Sequence, residues 1–469
     1  MKERTILPHI QKCCYHICRN ESVHDIVTRG KEHSDVSTLA DILDYHGEFA
    51  PAGELYQWVL AREERSMGKD HPDLLSTVHC IANVFARQGK YSEAMQWYTR
   101  ALAGEEKFLG KGNLDTLSTV HCMAIVFARQ GKYNEALEWC NRALAGREKP
   151  LGENHPDTLS SVHCMATVFS RQGKFDTALE WYRRALAGRE KSLGKDHPDT
   201  LSTVSSMANA FADQGKYNEA LGGYKRALAG REKSLGKNHP GTLSTVEGMA
   251  TVFARQGKYD QALEWYGRAH AGREKSLGNN HPDTLSTVSS MANVFFRQGK
   301  YKEALERHER VLAEREKSLG ENHPDALSTA HSIASVFSRQ GKLDEALGWY
   351  RRALDGTEKS LGEGHPATLS AVQGMATVFA RQGKYDQALE WFRRALAGRE
   401  ESLGKDHPDT AVTVSSMAKV IRIQGRDDEA LELFHRALAV QEKTVGKDHP
   451  DTLATSRGIA EIHEKQNLE

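Results

Sequence analysis

The chain has 469 residues, with 63 Lys plus Arg balanced by 63 Asp plus Glu, so its formal net charge is zero. A neutral chain has no global electrostatic attraction to nucleic acid or an anionic membrane, and no apolar run approaches the ~18 residues of a membrane span. Seven unevenly spaced cysteines give no secreted disulfide framework, and the expectation is a soluble, cytoplasmic protein.

From the N-terminus, residues 1–32 form a separate opening segment in which Cys13, Cys14, His16 and Cys18 crowd together. No second ligand pair follows at zinc-like spacing, so no metal site is expected there. Residues 33–66 read as a degenerate capping helix pair. From 67 to 448 one pattern takes over as nine helix pairs. His-Pro begins at His71, His155, His197, His239, His281, His323, His365, His407 and His449, a 42-residue register with no insertion or deletion. Asn113 and Leu114 fill the one exceptional slot. Such uniformity suits a stack in which every unit meets the same neighbours. It displaces the three globular domains that roughly 150 residues per domain would imply.

One unit represents all nine. Leu201, Val204, Met207, Ala208 and Phe211 recur at helical spacing within Pro198–Gln214, and Gly215 follows. A second apolar-periodic segment runs from Tyr217 through Ala220, Leu221, Tyr224, Ala227 and Leu228 to Leu235 and Gly236. Both glycine slots are filled in every copy, from Gly47 to Gly425 and from Gly68 to Gly446, as left-handed helix ends require. In the loop before the helix, Asp196 is the expected cap, Pro198 suits the first turn and Asp199 complements the dipole. Residues 449–469 read as a C-terminal capping helix, polar at Arg457, Glu461, Glu464 and Lys465.

The pattern of Ala208, Phe211, Gly215, Tyr217, Ala220, Tyr224 and Ala227 resembles the tetratricopeptide repeat (TPR). The 42-residue spacing and the L-G-x-x-H-P loop resemble its kinesin light chain and nephrocystin type. The resemblance implies an all-α, right-handed superhelical solenoid of antiparallel helix pairs. The first helix of each pair would line a concave groove that binds a peptide or protein partner. Residues 1–66 carry no sustained heptad, so a motor subunit is not expected. Leu7-Pro8-His9-Ile10 with Cys13 and Cys18 resembles the junction before TPR arrays in NB-ARC or NACHT sensors. That supplies the alternative reading, a ligand-sensing arm of a signalling or immune receptor. Gly104, Gly146, Gly188, Gly230, Gly272, Gly356 and Gly398 depart from the family, where a larger residue is usual. Each would cost about 0.5–1 kcal/mol against alanine unless close helix contact needs it.

No motif brings nucleophile, base and orienter together, so no enzyme activity, catalytic residue, cofactor or metal is expected. The stretch Gly188 to Asp196 has the wrong glycine spacing for a phosphate loop and ends on Asp where Ser or Thr would meet magnesium. The His-Pro histidines stand one per repeat, too far apart to share a metal at ~2.1 Å; loop capping and packing is their expected role. Cys80, Cys122 and Cys164 occupy a slot otherwise filled by Ser or Gly, which marks close packing. The tryptophans at 97, 139, 181, 265, 349 and 391 are expected to pack between repeats.

Partner-binding residues are expected on the groove face. One slot reads His79, His121, His163, Glu247, His331 and Gln373 in six of its copies, and four residues later stand Asn83, Asn209 and Asn293. A third slot is a nearly constant ladder of Arg87, Arg129, Arg171, Arg255, Arg297, Arg339 and Arg381, interrupted by Asp213. Planar guanidinium forks bind carboxylates in pairs, so the ladder favours an acidic peptide. The alternative is that each arginine pairs with an acid on a neighbouring helix. Three histidines in a row, titrating near ~6.5, would add positive charge to one end of the groove in mild acid.

Overall fold

The computed structural model describes residues 32–45, 48–69 and 71–466, and every regular element among them is an α-helix. The cluster of Cys13, Cys14, His16 and Cys18, the Leu7–Ile10 stretch and Gly47 lie outside the described residues. An opening pair, α1 (Glu32–Tyr45) and α2 (Phe49–Met67), precedes α3 (Leu74–Arg87), α4 (Tyr91–Phe108), α5 (Leu114–Arg129), α6 (Tyr133–Leu151), α7 (Pro156–Arg171) and α8 (Phe175–Ser192). Then come α9 (Pro198–Asp213), α10 (Tyr217–Ser234), α11 (Pro240–Arg255), α12 (Tyr259–Ser276), α13 (Pro282–Arg297) and α14 (Tyr301–Leu319). The chain finishes with α15 (Pro324–Gln340), α16 (Leu343–Leu361), α17 (Pro366–Arg381), α18 (Tyr385–Ser402), α19 (Pro408–Ile423), α20 (Asp427–Thr444) and α21 (Pro450–Gln466).

The turn between paired helices is set by glycine. Gly215 takes φ +76°, and the Lys216 N–H then reaches back to the Phe211 carbonyl at 2.8 Å, the six-to-one bond of a Schellman end. The loop between pairs is set by histidine rather than by the expected Asp196. His197 is the N-cap, and its Nδ1 accepts the Asp199 N–H at 3.2 Å with proline next in the helix. The same bond recurs at each His-Pro loop that opens a helix, and Asn113 supplies it through Oδ1 at 2.8 Å.

Within a pair, Ala208, Ala220, Tyr224 and Ala227 are buried. The mid-helix glycines answer to close contact: a Cβ on Gly230 would lie 2.6 Å from Leu201, and one on Gly188 would lie 2.5 Å from Leu159. Between repeats, a buried arginine closes the joint. Arg189 donates to the Asp199 carbonyl at 3.0 Å, Thr203 Oγ1 at 2.8 Å and Ser160 Oγ at 3.2 Å, so it ties α8 to α9 and α7. Arg147, Arg231, Arg273, Arg315 and Arg399 repeat this placement. On the outer face, Arg100 meets Glu64 at 2.6 Å and lies over the Trp97 ring at 5.6 Å, and Arg142, Arg184, Arg268, Arg352 and Arg394 copy both contacts. The tryptophans are half-buried against the cores of neighbouring repeats.

The first helices of successive pairs touch one another, as α9 does α11 and α15 does α17, while the second helices stand farther apart. The stack therefore bends with its first helices inside. It bends far enough to meet itself. His365 Nε2 lies 2.9 Å from the Arg129 carbonyl, 236 residues earlier, and His323 and His407 repeat the contact with Arg87 and Arg171 at the same separation. At 42 residues per unit, one turn of the coil takes about 5.6 repeats.

Candidate binding groove

The inside of the coil presents one stripe per first helix. In α9 it comprises Asn209 and Asp213, one helical turn apart. The stripe is only partly free to vary, because second helices reach through to it. Tyr56, Tyr98, Tyr182, Tyr224, Tyr266 and Tyr350 bond through their hydroxyls to Asp41, Asn83, Thr167, Asn209, Thr251 and Ser335 respectively. In the remaining pairs tyrosine is absent: Cys140 accompanies Ile125, His308 accompanies Asn293, Phe392 accompanies Thr377 and Phe434 accompanies Lys419. Asn83 and Asn209 are thus tied to the hydroxyl opposite. Asn293 is exposed and has no such hydroxyl opposite it.

The histidine slot faces the joint between repeats more than the groove. His79 Nδ1 lies 2.9 Å from Thr119 Oγ1 on the next first helix, and its ring packs edge-on against Tyr98. His163 and His331 pack likewise on Tyr182 and Tyr350. Burial lowers the pKa of all four: His121 falls to about 4, His163 to about 3 and His331 to about 4, with His79 shifted the same way. The expected gain of charge near ~6.5 is therefore overturned, since desolvation keeps these rings neutral. Glu247 and Gln373 in the same slot accept from the buried Arg273 and Arg399. Burial raises the Glu247 carboxyl, an effect that Arg273 partly offsets.

The arginine ladder is exposed along the inside. Arg87 pairs with Asp44 at 3.3 Å and Arg255 with Asp213 at 2.6 Å. Arg381 bonds the Ser338 carbonyl and hydroxyl. Arg171 lies against Tyr133. Arg129, Arg297 and Arg339 form no ion pair with a described residue. Two open clefts gather ladder members. One of about 410 Å³ is lined by Ser335, Arg339, Tyr350, Thr377 and Arg381. The other, of about 440 Å³, lies where the turns meet and joins Arg171, Arg255 and Arg297 to Asp213, His407 and Asp451.

The small slot is a packing slot. A Cβ on Gly248 would lie 2.5 Å from the Tyr224 ring. Cys164 has no tyrosine beneath it and instead meets Cys140, sulfur to sulfur at 3.0 Å, with both side chains buried. The described residues hold no group of His, Cys, Asp and Glu arranged for a metal ion. No described helix is long and apolar enough to cross a membrane. Two features escaped the sequence reading. The buried arginines recur every 42 residues in the second helix, a constancy that a solvated charge would not need. The tyrosine pairs link slots 15 residues apart, where each bonded tyrosine faces Asp, Asn, Thr or Ser.

A tetratricopeptide repeat model matches residues 115–191, 159–233, 199–275, 242–317, 283–359, 326–401, 366–420 and 409–468, and a second one matches 79–111. No curated protein matches the chain. Among solved structures, the nearly identical TPR-like repeats from Podosopora anserina, assigned as a kinesin light chain, are 27% identical with a TM-score of 0.36. They cover 44% of this chain and 98% of their own. BtubC from P. vanneervenii is 21% identical with a TM-score of 0.38, over 50% of this chain and 92% of its own. The Rap protein complexed with Competence and Sporulation Factor is 14% identical with a TM-score of 0.54, over 80% of this chain and 99% of its own, and shares the fold.

Proposed function

Because the chain belongs to the tetratricopeptide repeat family, its repeats matched along most of its length, we propose that it is a non-catalytic interaction scaffold that holds an extended acidic peptide, or an acidic segment of a partner protein, along the inside of its coil. The observation that carries the reading is the arginine ladder. Its members stand at a constant step on the inner face, and Arg129, Arg297 and Arg339 keep guanidinium groups without an acidic partner among the described residues. A solvated guanidinium exchanges water for carboxylate at small cost, and its planar fork takes both oxygens. The stripe between the arginines offers Ser and Thr hydroxyls and the Asn293 amide, suited to main-chain groups of an extended ligand. The helices and glycine turns of the frame are held by the chain's own bonds, which lowers the ordering cost of binding. The Rap protein, of the same fold, is complexed with Competence and Sporulation Factor, a precedent for this architecture holding a ligand.

Fluorescence anisotropy with a labelled oligo-glutamate peptide tests the reading. The wild-type chain should bind it, more weakly as salt rises because exposed charges are screened over about 8 Å at physiological salt. Arg297→Glu with Arg339→Glu should weaken binding at least about tenfold, or 1.4 kcal/mol, with helix content unchanged. Equal binding by this variant, or equal binding of oligo-lysine, would refute it.

A further inference from the structure

The seam where the coil meets itself is chemically specific. His323, His365 and His407 use Nδ1 to accept the N–H of Asp325, Ala367 and Asp409, at 3.1, 3.0 and 3.0 Å. A neutral ring whose Nδ1 accepts carries its hydrogen on Nε2. That hydrogen points to the carbonyls of Arg87, Arg129 and Arg171, at 3.4, 2.9 and 3.2 Å. Those carbonyls close first helices, where no further turn supplies a donor. Beside each bond a proline ring covers a glycine turn: a Cβ on Gly89, Gly131 or Gly173 would lie 2.5, 2.8 or 2.5 Å from Pro324, Pro366 or Pro408. Next to the third contact, Lys174 shares a cleft with Glu401 and Asp406 across the seam.

Both halves of this joint recur, exposed, on opposite edges of the coil. His71, His155, His197 and His239 in the first turn accept the same capping N–H, so they hold the same Nε2 hydrogen. The side chains of His71, His155 and His197 are 39%, 37% and 37% exposed, against 6% and 9% for His323 and His407. On the other edge, nothing lies within 4 Å of a Cβ placed on Gly257, Gly299, Gly341, Gly383 or Gly425. Exposed Lys258, Lys300, Lys342 and Lys384 follow four of these glycines, and Asp157 and Asp199 stand on two of the loops. The step on both edges is 42 residues, so the loops and glycine turns come in the same register as in the seam.

We propose that the chain stacks head to tail on a second copy of itself, the first-turn His-Pro loops of one copy docking on the last-turn glycine turns of the other. The interface continues the intramolecular seam. Because its two surfaces differ it is heterologous, and because it continues the screw of the coil it does not close, so it builds a longer coil rather than a symmetric dimer.

Asn113 shows how to test this, since asparagine keeps the cap but lacks the reach of Nε2. Sedimentation velocity of the full chain should show mass rising with concentration beyond a dimer. One variant, His155→Asn with His197→Asn and His239→Asn, breaks the loop edge. A second, Lys300→Glu with Lys342→Glu and Lys384→Glu, breaks the glycine edge at exposed positions. Each alone should associate at least about tenfold more weakly, the loss expected of several hydrogen bonds or charge pairs, with helix content unchanged. An equimolar mixture should form dimers and stop there, because one copy keeps each intact edge. A wild-type chain that stays monomeric at all concentrations, variants that assemble like wild type, or a mixture that stays monomeric would overturn the proposal. So would assembly that ends at a symmetric dimer.

Discussion

His308 occupies the position that tyrosine holds in most repeats, fully buried, with neither ring nitrogen bonded. Where tyrosine is present, its hydroxyl finds an amide, hydroxyl or carboxylate on the first helix, and Asn293 offers the same amide that Asn83 and Asn209 offer elsewhere. His308→Tyr should therefore stabilise the array, by about 1–3 kcal/mol for relief of buried unsatisfied polar atoms; equal or lower urea midpoint would count against the pairing rule. The buried histidines also fix a pH dependence. His121, His308 and His331 have pKa values of about 4, and His163 about 3, because burial disfavours the charged ring and Arg147, Arg189, Arg315 and Arg399 lie near enough to add to it. Above the unfolded value of ~6.5 both states are neutral and stability is complete. As pH falls from there towards 4, only the unfolded chain takes up protons, so stability is lost. At pH 5 each such ring should cost roughly 2 kcal/mol. Denaturant titrations at pH 7 and pH 5 check this, and a profile flat across that interval would contradict the burial.

Seven of the nine repeated helix pairs owe their closeness to glycine, whereas Glu314 holds that slot opposite Leu285 in α13–α14. Alanine is the better helix former by about 0.5–1 kcal/mol, yet a Cβ on Gly188 would press on Leu159, and overpacking costs about 1–3 kcal/mol. Gly188→Ala should thus lower thermal stability, and Leu159→Val beside it should recover part of the loss. A stability gain from Gly188→Ala alone would show that the pair has room. The chain has already made this exchange once: Val440 fills the glycine slot where Ala411 replaces the leucine, and both sit in one small core. The helices, turns and TPR family were legible because they depend on local signals that repeat, such as Gly215 and the apolar spacing around Ala208. The surroundings of the first-helix side chains were less legible. A helix-face rule places His163 and Asp213 on neighbouring faces alike, whereas packing between repeats sets one against Tyr182 and the other against Arg255. The His-Pro loop looked like an Asp196 cap because aspartate is the commoner one, and only the backbone angles give the role to His197.

At the scale of the whole molecule, the repeats do not form an open spring. Contacts 236 residues apart at three successive positions seal one turn against the next, and Arg171, Arg255 and Arg297 share a cleft with His407 and Asp451 where the turns meet. This closure is the central claim, for it decides the shape of the groove and the chemistry of the edges. Pulsed electron–electron resonance between spin labels on Lys132 and Glu363, both exposed and flanking the contact between Gly131 and Pro366, tests it directly. The closed coil predicts one short, narrow distance distribution in the free chain. It also predicts that His323→Asn with His365→Asn and His407→Asn lengthens and broadens that distribution while helix content holds. A long or broad distribution in the unaltered chain would contradict the account.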